Sequence, residues 1–128
     1  MIYKEIPLAN WLSRISTQER LDVVQFNDLS GRPVLRFPQE PFAFRYSHMD
    51  IVGNLADEIG VRCFFEEGAP HLSVESSYRV VGAGYCVIDL EDGRKEVRFF
   101  EKPNAYDMNI NLKHLQKLRK EFPEWNLQ

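Results

Sequence analysis

The clearest structural signal in this sequence is YCVIDLEDGRKEVRFF, residues 85–100. Two short apolar segments, 85–89 and 96–100, flank a polar turn that contains Asp92-Gly93. Glycine readily adopts the positive φ angle that tight hairpin turns require. The pattern therefore predicts a β-hairpin, and a similar arrangement around Gly31 predicts a second one.

Helices are predicted on both sides of these hairpins. Apolar residues recur at the spacing of one helical face near 8–15, over 47–59 and over 112–122. Gly60 and Pro123 follow the second and third of these segments, and both residue types are typical where helices end.

The order of these elements predicts an α+β fold in a single domain, residues 1–128. Successive hairpins form antiparallel sheets, and the helices need an apolar surface on which to bury their stripes. We therefore expect a mainly antiparallel sheet built from hairpins and packed on one face by two or three short helices. Gly82-Ala83-Gly84 falls in a predicted strand, and it indicates a bulge or a close approach of another backbone segment.

Composition and charge limit the functional classes. The chain is 44% hydrophobic with a net charge of −3, which is typical of a globular protein without long-range attraction for nucleic acid. Its first residues lack the pattern of a secretory signal, and no apolar run is long enough to cross a bilayer. We expect a cytoplasmic protein without a membrane partner. Cys63 and Cys86, each in an apolar segment, are expected to be free thiols.

His48 is the candidate catalytic residue. It stands at a predicted helix start beside Arg45 and Ser47, where backbone N–H groups attract anions. The segment 46–51 resembles the His-x-Asp-Ile stretch of the janus and phosphohistidine phosphatase family, without the glycine-rich segment that follows in that family. The position of His48 beside Arg45 and Ser47 gives an alternative function, a hydrolase or phosphatase-like enzyme that uses His48 on an anionic substrate.

No metal site and no cofactor are predicted. His48 and Asp50 are two residues apart at a helix start, so their side chains point in different directions and are poorly placed to chelate. His114 stands next to Lys113 and near Lys117, whose positive charges repel a divalent cation.

Two other segments contain candidate binding residues. The irregular stretch from 102 to 109 mixes amide, phenol and carboxylate groups, and it includes Tyr106 and Asp107. The final helix carries Lys117 and Lys120 on a basic face. That face gives a second alternative function, RNA or DNA binding, although the negative net charge does not favour a nucleic-acid partner.

An excess of aromatic residues favours a binding role. Nine Phe, five Tyr and two Trp are more than one modest core uses, so some of them should reach the surface. Phe42, Phe44 and Tyr46 alternate along a proline-bounded strand and are natural contact residues. We therefore expect a small binding or regulatory domain that acts through contacts with a protein partner, or through self-association at a sheet edge, rather than an enzyme.

Overall fold

A computed structural model describes residues 20–37, 48–66, 68–89, 93, 96–101 and 108–128. The predicted helix near 8–15 and the predicted strand with Phe42 and Phe44 lie outside these residues.

The described chain is mixed α and β, with strands in the majority and two helices. In chain order these are β1 (Arg20–Asp28), β2 (Pro33–Arg36), α1 (His48–Ile59), β3 (Cys63–Glu66), β4 (Ala69–Leu72), β5 (Tyr78–Asp89), β6 (Glu96–Phe100), α2 (Leu112–Glu121) and β7 (Asn126–Leu127). Within the described ranges, neither helix is long and apolar enough to cross a bilayer.

The sheet is mainly antiparallel, as expected. Five strands form it in the order β2-β1-β5-β6-β7, and β3 and β4 form a separate two-stranded sheet. Only the pair β6 and β7 is parallel among the described strand pairs. Gly31 and Gly93, the turn glycines of the sequence pattern, both adopt positive φ angles of 82° and 75°.

The two helices pack on opposite faces of the sheet, which corrects the expectation that they share one face. α2 packs in a cluster that includes Val23, whereas α1 packs in a cluster that includes Val24. Successive side chains of a strand point to opposite faces, so these neighbours place the two helices on opposite sides of β1. Helical periodicity shows that each helix has an apolar stripe, but it does not show which sheet face the stripe covers.

Arg36 connects the edge strand β2 to α1. It is 1% exposed, and two of its guanidinium nitrogens each lie 2.7 Å from a carboxylate oxygen of Glu58. Such a two-point pair offsets the loss of water around the buried charge. The contact fixes the position of the helix relative to the edge of the sheet.

The segment 108–111 lies against β5 at Gly82-Ala83-Gly84. The amide of Ala83 donates to the carbonyl of Asn109 at 3.1 Å. A Cβ atom at Gly82 would lie 2.8 Å from this carbonyl oxygen, and one at Gly84 would lie 2.6 Å from Cδ1 of Ile110. Only glycine fits at these two positions, and the predicted close approach of a second backbone segment is confirmed.

Substitution of these glycines should therefore destabilise the fold. We expect Gly84→Ala to lower the free energy of unfolding by about 2–3 kcal/mol, because the added methyl group meets the backbone of Phe100 as well as Ile110. Urea denaturation of the purified protein measures this change.

Gly53→Ala is the matched control. Gly53 lies within α1, and a Cβ atom there would meet only Sγ of Cys63, at an ordinary van der Waals distance of 3.8 Å. Alanine favours the helix over glycine by roughly 0.5–1 kcal/mol, so this variant should be more stable than the wild type. Equal effects of the two substitutions would contradict the proposed crowding at Gly84.

Candidate functional site

Most of the side chains predicted to form a site lie outside the described residues. These are Phe42, Phe44, Arg45, Tyr46, Ser47, Tyr106 and Asp107. The structure describes His48, Lys117 and Lys120, and it does not bring them together. His48 begins α1, whereas both lysines lie on α2, which packs on the other face of the sheet.

His48 is buried against the central strand. His48 is 1% exposed, and Nε2 of its ring lies 2.7 Å from the carbonyl oxygen of Gly84. A carbonyl oxygen only accepts, so Nε2 carries a proton and donates it. In this arrangement the ring holds the start of α1 against β5.

The predicted basic face of α2 is exposed but carries mixed charge. Lys113, Lys117 and Lys120 all lie on the surface. Lys117 donates from Nζ to the carbonyl of Gly31 at 3.3 Å. Glu121 follows one helical turn after Lys117 and pairs with Arg32 at 3.3 Å, which weakens the positive field of this face.

Nucleophilic and metal chemistry find little support in the described residues. Cys63 and Cys86 are free thiols, as expected. Burial and the nearby Asp22 raise the pKa of the Cys86 thiol far above its usual range, so it is not a thiolate nucleophile. No group of three or more His, Cys, Asp or Glu residues in the described ranges is placed to hold a metal ion.

A groove of about 470 Å³ opens beside β5, and we refer to it as the β5 groove. This volume is within the range of about 300–1,000 Å³ that is usual for binding pockets. The lining comes from β4, from β5 and from the segment before α2: Ala69, Pro70, His71, Val80, Val81, Gly82, Met108, Asn109, Ile110 and Asn111. Among the described residues of the lining there is no Asp, Glu, Lys or Arg, so recognition there depends on apolar groups, the backbone and the uncharged polar groups of Asn109 and Asn111.

The groove follows a part of β5 that β6 does not cover. β6 pairs only with Tyr85–Asp89, although β5 begins at Tyr78. On this side of β5 the segment 108–111 contributes the bond from Ala83 to Asn109. No described strand pairs with residues 79–80 on this side, whereas the carbonyl of Tyr78 accepts from the side chain of Arg79. Such an edge presents backbone donors and acceptors to an added strand.

An exposed aromatic side chain extends the groove at its β4 wall. Phe64, on β3, is 40% exposed, and its ring stacks on the ring of His71 with centroids 5.6 Å apart. His71 in turn lines the groove. The expectation that some aromatic residues reach the surface thus holds within the described chain, at a position that sequence patterns did not identify.

The wall formed by residues 108–111 is held by a β-bulge. Gln25 of β1 pairs with Gly82, but the next residue of β1, Phe26, pairs with Val80. Val81 is therefore the extra residue of the bulge. Its carbonyl accepts from Nδ2 of Asn111 at 3.1 Å, so the polar group that the bulge displaces is satisfied by the residue that caps α2.

A buried glutamine pairs with the backbone of the same asparagine. Oε1 of Gln25 accepts from the amide of Asn111 at 2.7 Å, and Nε2 of Gln25 donates to the Asn111 carbonyl at 3.1 Å. Gln25 is 0% exposed, so these bonds replace the water that its amide lost on folding. We call Gln25, Asn111 and His114 the Gln25 network.

His114 completes the network as a neutral ring. Nε2 lies 2.8 Å from the carbonyl of Phe26, which fixes the ring proton on Nε2 because a carbonyl only accepts. Nδ1, 3.2 Å from Nε2 of Gln25, then accepts the second amide proton. Burial lowers the pKa of His114, an effect that the carbonyls of Phe26 and Val34 partly offset and that Lys117 reinforces.

Sequence reasoning missed this network. Gln25 is the single polar residue in the apolar sequence Val-Val-Gln-Phe. This interruption of an apolar strand was the available signal of a buried polar group. His114 was considered only beside the lysines of the final helix. Its position one residue before Leu115 of the apolar stripe places it at the boundary of the buried face, but its distant partner in β1 is not visible in local sequence.

Comparisons with known proteins do not assign a family. No protein-family model matches this sequence, and no curated protein matches it. The groove and the Gln25 network are therefore interpreted from their own geometry.

The Gln25 network predicts acid sensitivity of the fold. A histidine whose folded pKa is lowered stabilises the protein while it is neutral, and unfolding takes up a proton as the pH falls through about 6.5. Between about pH 7 and pH 5 the free energy of unfolding should decrease by up to roughly 1.4 kcal/mol per pH unit from this group. Urea denaturation across this range measures the slope.

His114→Gln and His71→Gln separate this contribution from those of other histidines. His114→Gln removes the buried titration and should flatten the slope, at a lower overall stability. His71 lies outside the network, so His71→Gln should retain the part of the slope that His114→Gln removes. A wild-type slope that persists in His114→Gln would contradict the assignment.

Proposed function

We propose that this protein is a binding domain that takes an extended segment of a partner protein in the β5 groove. The observation that carries the proposal is the location of the groove along residues of β5 that lack a ladder partner on that side among the described strands. Addition of a strand to such an edge is a common mode of peptide recognition, in which backbone hydrogen bonds provide much of the contact.

The chemistry of the lining supports an uncharged segment with small apolar side chains. Val80, Met108 and Ile110 offer apolar contacts, while the side chain of Asn109 offers polar groups. Because the described residues of the lining include no Asp, Glu, Lys or Arg, a strongly charged segment would lose its hydration there without gaining a counter-ion from them. At one end of the groove, the exposed ring of Phe64 stacks on His71 and provides a further surface for the bound segment.

Selection of peptides against the full chain tests this proposal. A library of random linear peptides is panned on the protein, and a selected peptide is titrated while amide chemical shifts are recorded. We expect extended, uncharged sequences whose binding shifts the amides of Val80, Val81 and Asn109–Asn111. Failure to select any peptide, or shifts confined to residues elsewhere, would overturn the proposal.

A pair of tryptophan substitutions locates the site. Asn109 is exposed and lines the groove, so Asn109→Trp should fill the groove and weaken the peptide about tenfold or more. Gln116 is exposed on α2 and does not line the groove, so Gln116→Trp should bind as the wild type does. Equal affinity of both variants would contradict a site in the groove.

Self-association is distinguished in the same experiment. Light scattering across the concentrations of the titration should show a monomer that binds the peptide. A dimer that the peptide dissociates would show that a second copy of this chain occupies the groove instead, which would overturn the assignment to a partner protein.

A further inference from the structure

We propose that the β5 groove is regulated by acid, because protonation of His114 breaks the Gln25 network and releases the wall formed by residues 108–111. This inference rests on the proposed function for its effect on a bound segment. The release of the wall itself is inferred from the hydrogen bonds of the network alone and does not depend on the proposed function.

The geometry of Gln25 leaves no alternative set of bonds for a protonated ring. The two protons of Nε2 are given to Asn111 O and to Nδ1 of His114, and Oε1 is used by the amide of Asn111. A proton on Nδ1 would face Nε2, which also carries protons. Rotation of the Gln25 amide by half a turn would satisfy the ring but would break both bonds to the backbone of Asn111.

The described residues around His114 offer an imidazolium no counter-ion. On α2, the charged group whose field reaches the ring is Lys117, which repels a second positive charge. β1 presents the amide of Gln25 and the carbonyl of Phe26, and β2 presents the carbonyl of Val34. Among the described residues no carboxylate is close enough to affect the ring, so a buried positive charge is relieved by local opening.

Opening of the network acts directly on the groove. Asn111 and Gly82 line it, and the side chain of Gln25 lies between them. Without the bonds from Gln25, the wall keeps the Ala83–Asn109 bond, the bond from Asn111 Nδ2 to Val81, and the bond from the amide of Ile110 to Glu101. Asn111 also keeps the bonds that begin α2. The bond to Val81 depends directly on the position of Asn111, and Asn109 lies two residues before it. A segment bound between β4 and this wall loses one side of its site.

Amide hydrogen exchange of the full chain tests the release without any ligand. Protection factors, corrected for the intrinsic effect of pH, are compared at about pH 7 and about pH 5. We expect the amides of Asn111 and Ala83 to lose at least about tenfold in protection, while the slowest amides of the β5–β6 ladder change less. Uptake of a proton by His114 with unchanged protection at both amides would overturn the proposal.

Gln25→Glu should reverse the response. A carboxylate at this position cannot donate to the Asn111 carbonyl, so the variant loses that bond at both pH values. It does accept from a protonated Nδ1 and forms an ion pair with the ring, so protonation stabilises the remaining contact instead of breaking it. Protection of Asn111 and Ala83 at pH 5 should then be no lower than at pH 7. His71→Gln removes a histidine outside the network and should keep the wild-type response, and a response that Gln25→Glu leaves intact would overturn the proposed mechanism.

Peptide affinity at the two pH values connects the release to binding. A peptide selected at neutral pH should bind the wild type about tenfold more weakly at pH 5, and Gln25→Glu should lose less affinity. If no peptide binds at neutral pH, the proposed function fails while the exchange result still decides the release. If a peptide binds equally at both pH values although the wall opens, the regulation fails and the proposed function stands.

Discussion

The arrangement of the described chain depends on the two-point pairing between the side-chain amide of Gln25 and the backbone of Asn111. A fully buried amide must find partners, because water no longer reaches it. Here the donor and the acceptor of one side chain match the acceptor and the donor of one peptide unit. The pairing fixes where the chain enters α2, and through the cap of α2 it fixes the first turn of that helix.

The two faces of the sheet are held by different means. On the α1 face, apolar packing is combined with the Arg36–Glu58 ion pair and the bond from His48 to Gly84. On the α2 face, apolar packing is combined with the Gln25 network, which is made of neutral groups. The Arg36–Glu58 pair is sensitive to charge at either end, whereas the neutral network is sensitive to the position of one proton. The groove borders the second kind of contact, so the position of its wall depends on where that proton lies.

Sequence patterns predicted the local structure well. The helices expected over 47–59 and 112–122 are observed as His48–Ile59 and Leu112–Glu121, because apolar spacing and stop residues act within one segment. The glycines at 82 and 84 predicted a close backbone approach, since the absence of a side chain can be read without knowing the partner. The short strand β7 was not predicted, because two residues after a helix stop carry too little periodicity.

What sequence reasoning could not provide is the pairing of distant residues. The side of the sheet on which each helix packs depends on the paths between elements, and a stripe of apolar residues is the same for either side. Gln25 and His114 are 89 residues apart, so neither position alone shows that the two side chains form a hydrogen bond with each other.

An apolar residue at position 25 could be buried as well and would satisfy the strand pattern equally. It would leave the buried amide of Asn111 without the acceptor that Gln25 provides, and the carbonyl of Asn111 without one of its donors. The buried amide therefore specifies which backbone segment lies against β1, which is a recognised role of satisfied polar groups in cores. The same property makes the groove wall a single defined surface rather than a set of similar ones.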